Sequence, residues 1–385
     1  MPYFHPAEAF GGPVRVTFDV SKELAKRGHE VVVFTSDAKN LERRLDLENA
    51  EADGVRIHYL RNLSMFLVKR SKLFVTINLP KMLKSNLKSF SVVHLHEYTT
   101  YQNIVAHYFA KKYGIPYLLQ AHGSLPKIGR KARKWAYDAL FGSRLLRDAS
   151  RVVALSQVEA EQFRQAGVPD ERITIVPNGI DLSEYANPPS KGSFKKKLNI
   201  PSSKKMILYL GRVHVTKGID FLIKSYAYMI KKMKCNNTLL LIAGPDDGYL
   251  AKAKSLADSL GVSESVLFTG FINDKDKLEA LVDADLFVTP SFHGFPMTFL
   301  EACAVGTPII TTTLGDRLNW INGNVGYVTP PTYRDLARAA YEIISNTELA
   351  DSFSRNCKLI VGTDFSLENT VDKLEHIYRE VTDPN

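Results

Sequence analysis

Short apolar stretches rich in β-branched residues alternate along the chain with longer segments in which apolar residues recur every three or four positions. The short stretches predict strands and the longer ones predict helices. Their alternation is typical of βα units, which build a parallel sheet covered by helices. The predicted helices include residues 102–113, 130–147 and 220–232. The predicted strands begin at Glu30, Val55, Val92, Tyr117, Arg151, Ile173, Met206, Leu239, Val266, Leu286 and Pro308.

The predicted strands fall into two sets, which indicates two domains of similar size. Residues 187–203, between the sets, are rich in Pro, Ser and Lys and lack a long apolar pattern, so they predict a linker. We therefore expect one α/β domain over residues 1–186 and another over residues 204–364, each with a doubly wound parallel sheet. The length of 385 residues supports this division, because one hydrophobic core rarely grows so large.

The composition is that of a folded globular protein, with 45% hydrophobic and 24% charged residues. No apolar run reaches the roughly 18 residues that cross a bilayer, and the first residues lack the basic and apolar regions of a signal peptide. We therefore expect a cytoplasmic protein. The cysteines Cys235, Cys303 and Cys357 lack metal-ligand spacing, so they favour neither a zinc site nor a disulfide framework.

The net charge of +9 is unevenly distributed. Residues 61–134 contain fourteen Lys or Arg and one acidic residue, Glu97. Such a stretch either forms a solvated basic face or meets phosphate or an anionic lipid surface. Apolar and basic residues mix over residues 64–75, which favours peripheral attachment at the inner face of a membrane. A nucleic-acid-binding role rests on the basic charge alone, because the sequence carries no recognisable motif for it.

The segment GRVHVTKG, residues 211–218, follows a predicted strand and opens a helix. It places two cations, Arg212 and Lys217, in one loop and Gly218 at the start of the helix. Ligands of open α/β sheets bind beyond the carboxyl ends of the strands, where two cations and a helix N-terminus suit a diphosphate. Solvated surface is the alternative interpretation of these two side chains.

A second segment, PSFHGFPMTFLEA at residues 290–302, places a Gly-Phe-Pro turn before a helix that is predicted to start near Met297. Free N–H groups at that helix N-terminus can bind the phosphates of a donor. Glu301 lies one turn into the helix, where a carboxylate is placed to accept both hydroxyls of a ribose. The alternative is favourable placement of an acid near a helix N-terminus.

His122 ends a buried predicted strand and precedes Gly123, which favours a position at the binding edge of the sheet. His94 and His96 alternate on another predicted strand, and we interpret them as structural. No Asp-x-Asp segment of the kind that holds a divalent metal on a diphosphate directly follows a predicted strand. We therefore expect neither a metal site nor a cofactor, with fixed cations and helix N-termini in place of the metal.

The order and spacing of these segments resemble glycosyltransferase family 4 of the GT-B fold over essentially the whole chain. The other matching segments are RGHEVVVFT at 27–35, HLHEY at 94–98, AHG at 121–123, VPNGID at 176–181, AGPDDGY at 243–249 and ACAVGTPII at 302–310. The resemblance implies two facing Rossmann-like domains with the active site in the cleft, and a helix over residues 365–385 that returns to the first domain. It also implies a retaining transfer of a hexose from a UDP- or GDP-linked sugar to a glycan, lipid-linked or other hydroxyl acceptor.

The resemblance further assigns roles to single residues. Gly12 would approach the donor diphosphate and His122 would contact the transferred sugar. Arg212 and Lys217 would bind the pyrophosphate, and Glu301 would hold the ribose. The loop that would supply backbone donors comprises Gly294, Phe295, Pro296, Met297 and Thr298.

The chain departs from the family pattern at two places. His293 stands where the family has the first of two glutamates, and there it would face the sugar hydroxyls, so we expect it to affect sugar preference and catalytic strength. The family also has an apolar strand before its Gly-Gly turn, whereas MPYFHPAEAF precedes Gly11 here. We expect this first strand to be absent or shortened, and hence that translation begins upstream of Met1 or that the chain is a trimmed paralogue.

Two other functions are compatible with the motifs. One is a non-catalytic subunit that binds a sugar nucleotide, and the other is a GT-B epimerase or phosphorylase. A dehydrogenase of the same fold class would need G-x-G-x-x-G after its first strand, which this sequence lacks.

Overall fold

The computed structural model describes residues 1–125, 131–292, 294–315 and 318–383. The chain divides into two compact units. The first comprises Met1–Gly179 together with the segment that begins at Leu367, and the second comprises Ile180–Ser366. Each unit contains parallel strands covered by helices, so the predicted fold class of two Rossmann-like α/β domains is confirmed.

The first unit alternates strands with helices, as the apolar pattern predicts. Its strands are β1 (Val31–Ser36), β2 (Asn49–Ala52), β3 (Val55–Leu60), β4 (Val93–His96), β5 (Tyr117–Gln120), β6 (Arg151–Ala154) and β7 (Ile173–Ile175). Its helices are α1 (Gly12–Lys26), α2 (Met65–Ser71), α3 (Leu79–Asn86), α4 (Tyr101–Tyr113), α5 (Lys131–Tyr137), α6 (Ser143–Asp148), α7 (Gln157–Gln165) and α15 (Leu367–Thr382). A π-helical turn, Asp138–Gly142, joins α5 to α6.

The strands of the first unit form two separate sheets. In one, β1 pairs in parallel with β3, and β2 pairs antiparallel with the other edge of β3. The other sheet has the order β4-β5-β6-β7 and is wholly parallel. Within the described residues no strand precedes α1, and Glu8–Phe10 form a single 3-10 turn. The expectation of an absent or shortened first strand concerns this segment and stays a prediction.

Helices cover both faces of the β4-β5-β6-β7 sheet. Consecutive residues of a strand point to opposite faces, and here both faces are buried. Leu118 packs with Val20 of α1 and Val371 of α15, whereas Leu119 belongs to the core that includes Leu83 of α3. The sheet is thus the middle layer of three.

The second unit carries one continuous sheet. Its strands are β8 (Lys205–Leu210), β9 (Thr238–Ala243), β10 (Val266–Gly270), β11 (Leu286–Thr289), β12 (Ile309–Thr312) and β13 (Gly326–Thr329). They pair in parallel in the order β10-β9-β8-β11-β12-β13. Its helices are α8 (Ser193–Lys197), α9 (Ile219–Met233), α10 (Leu250–Ser259), α11 (Asp274–Asp283), α12 (Met297–Ala304), α13 (Tyr333–Ser345) and α14 (Thr347–Asp364).

Two segments that were predicted to lie outside the two domains can each be assigned to one of the observed units. The predicted linker contains α8, and the buried Asp283 accepts hydrogen bonds from the backbone N–H groups of Gly192 and Lys195, the latter at 2.8 Å. These residues therefore belong to the second unit. At the other end of the chain, α15 packs on α1 in the first unit, where Arg27 forms ion pairs with Asp372 at 2.5 Å and Glu375 at 3.1 Å. Among the described helices, none has the length and apolar character needed to span a bilayer.

Candidate functional site

The strand order of the second unit fixes where its loops converge. The first strand of this sheet in chain order is β8. The next two strands, β9 and β10, lie on one side of β8, and β11, β12 and β13 lie on the other side. The order therefore reverses between β8 and β11, and open α/β sheets bind ligands beyond the carboxyl ends of the strands at such a point. Both candidate segments from the sequence, the loop after β8 and the loop after β11, leave the sheet here.

The two loops touch each other through a glycine. Gly218 has a left-handed backbone with φ +70°, and a Cβ placed on it would lie only 3.0 Å from the Cβ of Pro290, which follows β11. A side chain at position 218 would therefore press the loops apart. The loop after β9 is equally close, because a Cβ on Gly244 would lie 1.9 Å from the carbonyl oxygen of Gly211. Three strand-to-helix loops thus meet, and glycines at positions 218 and 244 allow their close approach.

The two predicted cations lie in this loop cluster. Burial lowers the pKa of Lys217, and the nearby charge of Arg212 lowers it further. The Arg212 side chain is 61% exposed and forms an ion pair with Asp247 of the loop after β9. The hydroxyl of Tyr209 donates to the backbone oxygen of Arg212 at 3.1 Å. Lys217 is thus partly withdrawn from water, whereas Arg212 is exposed and paired with an acidic side chain.

The loop after β11 leads directly into α12. The helix begins at Met297 as predicted, and Pro296 at its N-cap position makes no side-chain capping bond. The buried ring of Phe295 packs in an aromatic cluster with Trp320 and Phe365. Gly294 is left-handed with φ +74°. The predicted site residue His293 lies outside the described residues.

Glu301 lies on α12 and is 3% exposed. Its Oε1 atom forms an ion pair with Nζ of Lys277 on α11 at 3.0 Å. This lysine was not predicted from the sequence, because the two residues are 24 positions apart and on different helices. Lys277 thus fixes the carboxylate of Glu301 close to the N-terminus of α12.

In the first unit, His122 follows β5 in a strained turn. It has a left-handed backbone with φ +51°, which is uncommon for a residue other than glycine. The carboxylate of the buried Glu159 holds this turn, since it accepts from the N–H of Gly123 and from the N–H of Leu155, each at 2.7 Å. Such strain is often found at functional sites.

His122 belongs to a row of three histidines. Its Nε2 atom shares a hydrogen bond with Nδ1 of His96 at 2.9 Å, and the ring of His94 lies 4.2 Å from that of His96. Nδ1 of His94 shares a hydrogen bond with the Tyr378 hydroxyl at 2.8 Å. Burial lowers the pKa of His122 to about 4 and that of His94 to about 3, and it holds the pKa of His96 well below its ordinary value. All three imidazoles are therefore neutral at pH 7.

The contact between His96 and His122 was not predicted from the sequence, in which His94 and His96 were interpreted as structural. The order of the strands in the sheet is the feature that could have predicted this contact. His96 pairs in register with Gln120, two residues before His122, so a histidine at the end of β4 lies beside the turn after β5. Gly12, another predicted site residue, is exposed at the N-terminus of α1, directly after Gly11 with φ +96°.

The described residues contain no group of three or more His, Cys, Asp or Glu side chains arranged to hold a metal ion. The three cysteines are free thiols, of which Cys303 and Cys357 are buried.

Two protein families match the sequence. The family described as Glycosyltransferase Family 4 matches residues 10–184, and the family described as glycosyl transferases group 1 matches residues 190–359. Together the two matches span most of the chain, each falling largely within one structural unit.

Individual relatives agree with these matches. An uncharacterized glycosyltransferase of Methanocaldococcus jannaschii is 26% identical over 390 residues, which cover 97% of this chain and 96% of the relative. The UDP-Gal:α-D-GlcNAc-diphosphoundecaprenol α-1,3-galactosyltransferase of Escherichia coli is 25% identical over 338 residues, which cover 85% of this chain and 84% of the relative. Among solved structures, Anabaena HepE in complex with UDP and glucose has a TM-score of 0.74 at 18% identity and covers 97% of each chain.

Proposed function

Because the chain belongs to glycosyltransferase family 4 and has the GT-B fold, we propose that this glycosyltransferase moves a hexose, with retention of configuration, from a nucleotide diphosphate sugar to a hydroxyl acceptor. The observation that carries the proposal is the meeting of two loops at the switch point of the second unit. One loop holds Arg212 and Lys217, and the other leads into the N-terminus of α12.

The donor diphosphate is proposed to bind at this meeting of loops. Negative charge grows on the leaving diphosphate as the bond to the sugar breaks, so fixed positive groups stabilise the transition state more than the ground state. Arg212, Lys217 and the N–H groups at the start of α12 supply such groups. The partial burial of Lys217 supports this role, because charges attract more strongly where water is excluded.

The nucleoside is proposed to be held through its ribose by Glu301. An ionised carboxylate is an acceptor that can bind two hydroxyls at once. Lys277, with its Nζ atom 3.0 Å from Oε1, orients the Glu301 carboxylate. A UDP- or GDP-linked sugar is the proposed donor, and the UDP complex of the Anabaena neighbour supports the uridine form.

His122 is proposed to contact the transferred sugar. Its neutral imidazole, whose pKa burial lowers to about 4, offers one donor and one acceptor nitrogen at pH 7. Because Nε2 is engaged by His96, Nδ1 is the atom left for a sugar hydroxyl. Gly12, at the exposed N-terminus of α1, is proposed to bring its backbone close to the diphosphate.

We propose that the reaction requires no metal ion and that Arg212, Lys217 and the N-terminus of α12 supply the positive charge that neutralises the diphosphate. Transfer is then expected to proceed at an unchanged rate in excess EDTA. A loss of activity that Mg²⁺ or Mn²⁺ restores would contradict this part of the proposal.

The acceptor is proposed to be a glycan or a lipid-linked hydroxyl, reached at an anionic membrane surface. The Escherichia coli relative is named for a lipid diphosphate acceptor. In the first unit, Phe66 on α2 is 64% exposed and lies against the guanidinium of Arg70, and Tyr108 on α4 is 59% exposed and lies against the ammonium of Lys112. Exposed aromatic and basic side chains are suited to the surface of an anionic membrane.

Co-sedimentation with lipid vesicles tests the membrane part of the proposal. Binding to vesicles containing an anionic phospholipid and no binding to neutral ones is expected at low salt, with weaker binding in Arg70→Glu and Lys112→Glu. Equal recovery with both kinds of vesicle would contradict it.

Product analysis with and without acceptor tests the transferase assignment against its alternatives. A transferase forms a glycoside only when an acceptor is present, and the product keeps the anomeric configuration of the donor. An epimerase would alter the donor sugar without any acceptor, and a phosphorylase would require inorganic phosphate. A non-catalytic subunit would bind the donor and release no nucleoside diphosphate.

A further inference from the structure

A groove on the surface of the first unit has the volume of a small-ligand site. It measures about 570 Å³ and lies between α4 on one side and the π-helical turn Asp138–Gly142 with α6 on the other. Sites for small molecules typically measure roughly 300–1,000 Å³. None of the described lining residues is among those predicted to bind the donor or the transferred sugar. The groove is therefore distinct from the proposed donor and sugar contacts.

Large apolar side chains of the groove are exposed to solvent. Tyr108 on α4 is 59% exposed, and the consecutive residues Leu140 and Phe141 of the π-helical turn are 61% and 40% exposed. The inner side of this turn is fixed, because Gly142 is buried and a Cβ placed on it would overlap the hydroxyl oxygen of the core residue Tyr98. The turn therefore presents Leu140 and Phe141 outward. Clustered exposed apolar groups often mark a binding site, and π-helical turns are frequent at functional sites.

The rim of the groove is basic. Lys112 and Arg144 are exposed lining residues, and neither forms an ion pair with a described residue. The ammonium of Lys112 lies 5.9 Å from the ring centroid of Tyr108. Lys111 also lines the groove and pairs at 2.7 Å with Asp148, the one acid among the described lining residues. The groove thus has an excess of positive charge and attracts an anionic ligand.

The polar groups inside the groove bear on the class of ligand. The Lys111–Asp148 pair lies among the lining residues, and the Asp148 side chain is only 17% exposed. An acyl chain laid over this pair would remove water from two charged groups without giving hydrogen bonds in return. Sugar hydroxyls can replace that water, because a hydroxyl both donates and accepts.

A sugar ring also matches the apolar part of the groove. One face of a pyranose ring is a surface of C–H groups, which can pack flat on an aromatic ring such as that of Phe141 or Tyr108. A carboxylate or phosphate on the sugar would meet the guanidinium of Arg144, a group that binds either anion through two parallel hydrogen bonds. An anionic sugar therefore uses the apolar, polar and charged features of the groove together.

We propose that the groove between α4 and α6 is a carbohydrate-binding site for an anionic sugar of a glycan, separate from the donor site. Phe141 packs on the sugar ring, and Arg144 binds its carboxylate or phosphate. The link to catalysis rests on the proposed function: when the glycan is the acceptor, the groove holds a sugar other than the one that receives the hexose. A second contact of this kind raises the effective concentration of the acceptor hydroxyl.

Calorimetric titration at low salt tests the class of ligand. The anionic probes are hexagalacturonate and mannopentaose phosphate, and the controls are neutral mannopentaose and the acidic peptide hexaglutamate. At least one anionic glycan is expected to bind about tenfold or more tightly than both controls. Equal affinity for hexaglutamate would assign the groove to acidic peptides or to charge alone and would overturn the proposal. Binding of neither anionic glycan would overturn it as well.

Two variants locate the bound glycan. Phe141→Ala and Arg144→Ala should each weaken its binding about tenfold, and because both side chains are exposed the fold should tolerate the changes. The matched controls are Phe66→Ala on α2 and Lys84→Ala on α3, which change exposed residues outside the groove and should bind the glycan as the wild type does. Wild-type affinity in both Phe141→Ala and Arg144→Ala would overturn the proposal.

Two further measurements separate this groove from the proposed membrane surface and from the donor site. Tyr108 and Lys112 are shared with the membrane surface, whereas Phe141→Ala and Arg144→Ala should sediment with anionic vesicles nearly as the wild type does. A loss of vesicle binding with unchanged glycan affinity would assign the groove to the membrane and overturn the inference. Both variants should bind UDP or GDP as the wild type does. A chain that binds the glycan through these two residues but transfers no hexose would support the groove and contradict only the proposed function.

Discussion

The Nδ1 atom of His96 lies 2.9 Å from Nε2 of His122, so the end of β4 directly supports the turn after β5. This contact fixes which nitrogen of His122 is available to a ligand. It also ties the orientation of the candidate catalytic histidine to a residue that need not touch substrate itself.

Replacement of His96 should therefore lower turnover more than donor affinity. We expect His96→Ala to reduce kcat about tenfold with little change in the KM for the donor, because His122 loses the partner that sets its tautomer and orientation. His96→Asn, which keeps a polar atom near Nδ1, should recover part of the loss. A matched control is His107→Asn, since His107 lies on α4 and pairs with Asp148 at 3.0 Å. Equal kcat in wild type and His96→Ala would refute the positioning role.

Acid should destabilise the first unit through the same histidines. Their pKa values lie below the ordinary value of 6.5, at about 3 for His94 and about 4 for His122, because burial disfavours the charged form. Between pH 6.5 and about 4 the unfolded chain therefore binds more protons than the folded one. Stability is fully present above pH 6.5 and falls as the pH drops, by up to about 4 kcal/mol per pH unit for the three groups together.

Urea unfolding between pH 7.5 and 4.5 measures this loss. His122→Asn should reduce the slope of the free energy of unfolding against pH by about one third. The buried Glu97, whose pKa is raised by burial, offsets part of the slope near its lower end. A free energy that stays level from pH 6.5 to 4.5 would show that these imidazoles are not held neutral.

The glycine at position 244 should be essential to the loop cluster. A Cβ at this residue would lie 1.9 Å from the carbonyl oxygen of Gly211, so Gly244→Ala must displace the backbone that precedes Arg212. We expect at least a tenfold loss of donor affinity and a destabilisation on the order of 2 kcal/mol or more. The control is Gly362→Ala in α14, where a Cβ meets no atom within 4 Å and better helix propensity should stabilise by up to about 1 kcal/mol. Nucleotide titration and thermal unfolding of both variants check this prediction.

The strands with strong apolar character could be predicted from the sequence, because a central parallel strand is buried on both faces. β9, with the sequence TLLLIA, and β11, with LFVT, are of this kind. β2 was missed because NAEA contains no β-branched or aromatic residue and pairs at an edge. β13, a short edge strand with the sequence GYVT, gave a similarly weak signal.

The candidate site could be predicted only in part. The sequence predicts Arg212, Lys217 and Glu301 as site residues because their segments follow strands. The carboxyl ends of parallel strands lie at the same edge of a sheet, where ligands bind. Their partners Asp247 and Lys277 depend on side-chain contacts between separate elements, which periodicity does not encode. The division of the first sheet into two parts likewise becomes visible only when the pairing of β1 and β4 is known.

Calorimetric titration with UDP and with GDP tests the proposed donor site most directly, because it requires no knowledge of the acceptor. The wild-type chain is expected to bind at least one of the two nucleotides, and Arg212→Ala and Lys217→Ala should each weaken that binding about tenfold to a hundredfold. Lys224→Ala is the matched control, since Lys224 pairs with Asp220 on α9 at 3.2 Å, and it should bind as the wild type does. Binding of neither nucleotide, or wild-type affinity in both Arg212→Ala and Lys217→Ala, would contradict a donor site at the meeting of these loops.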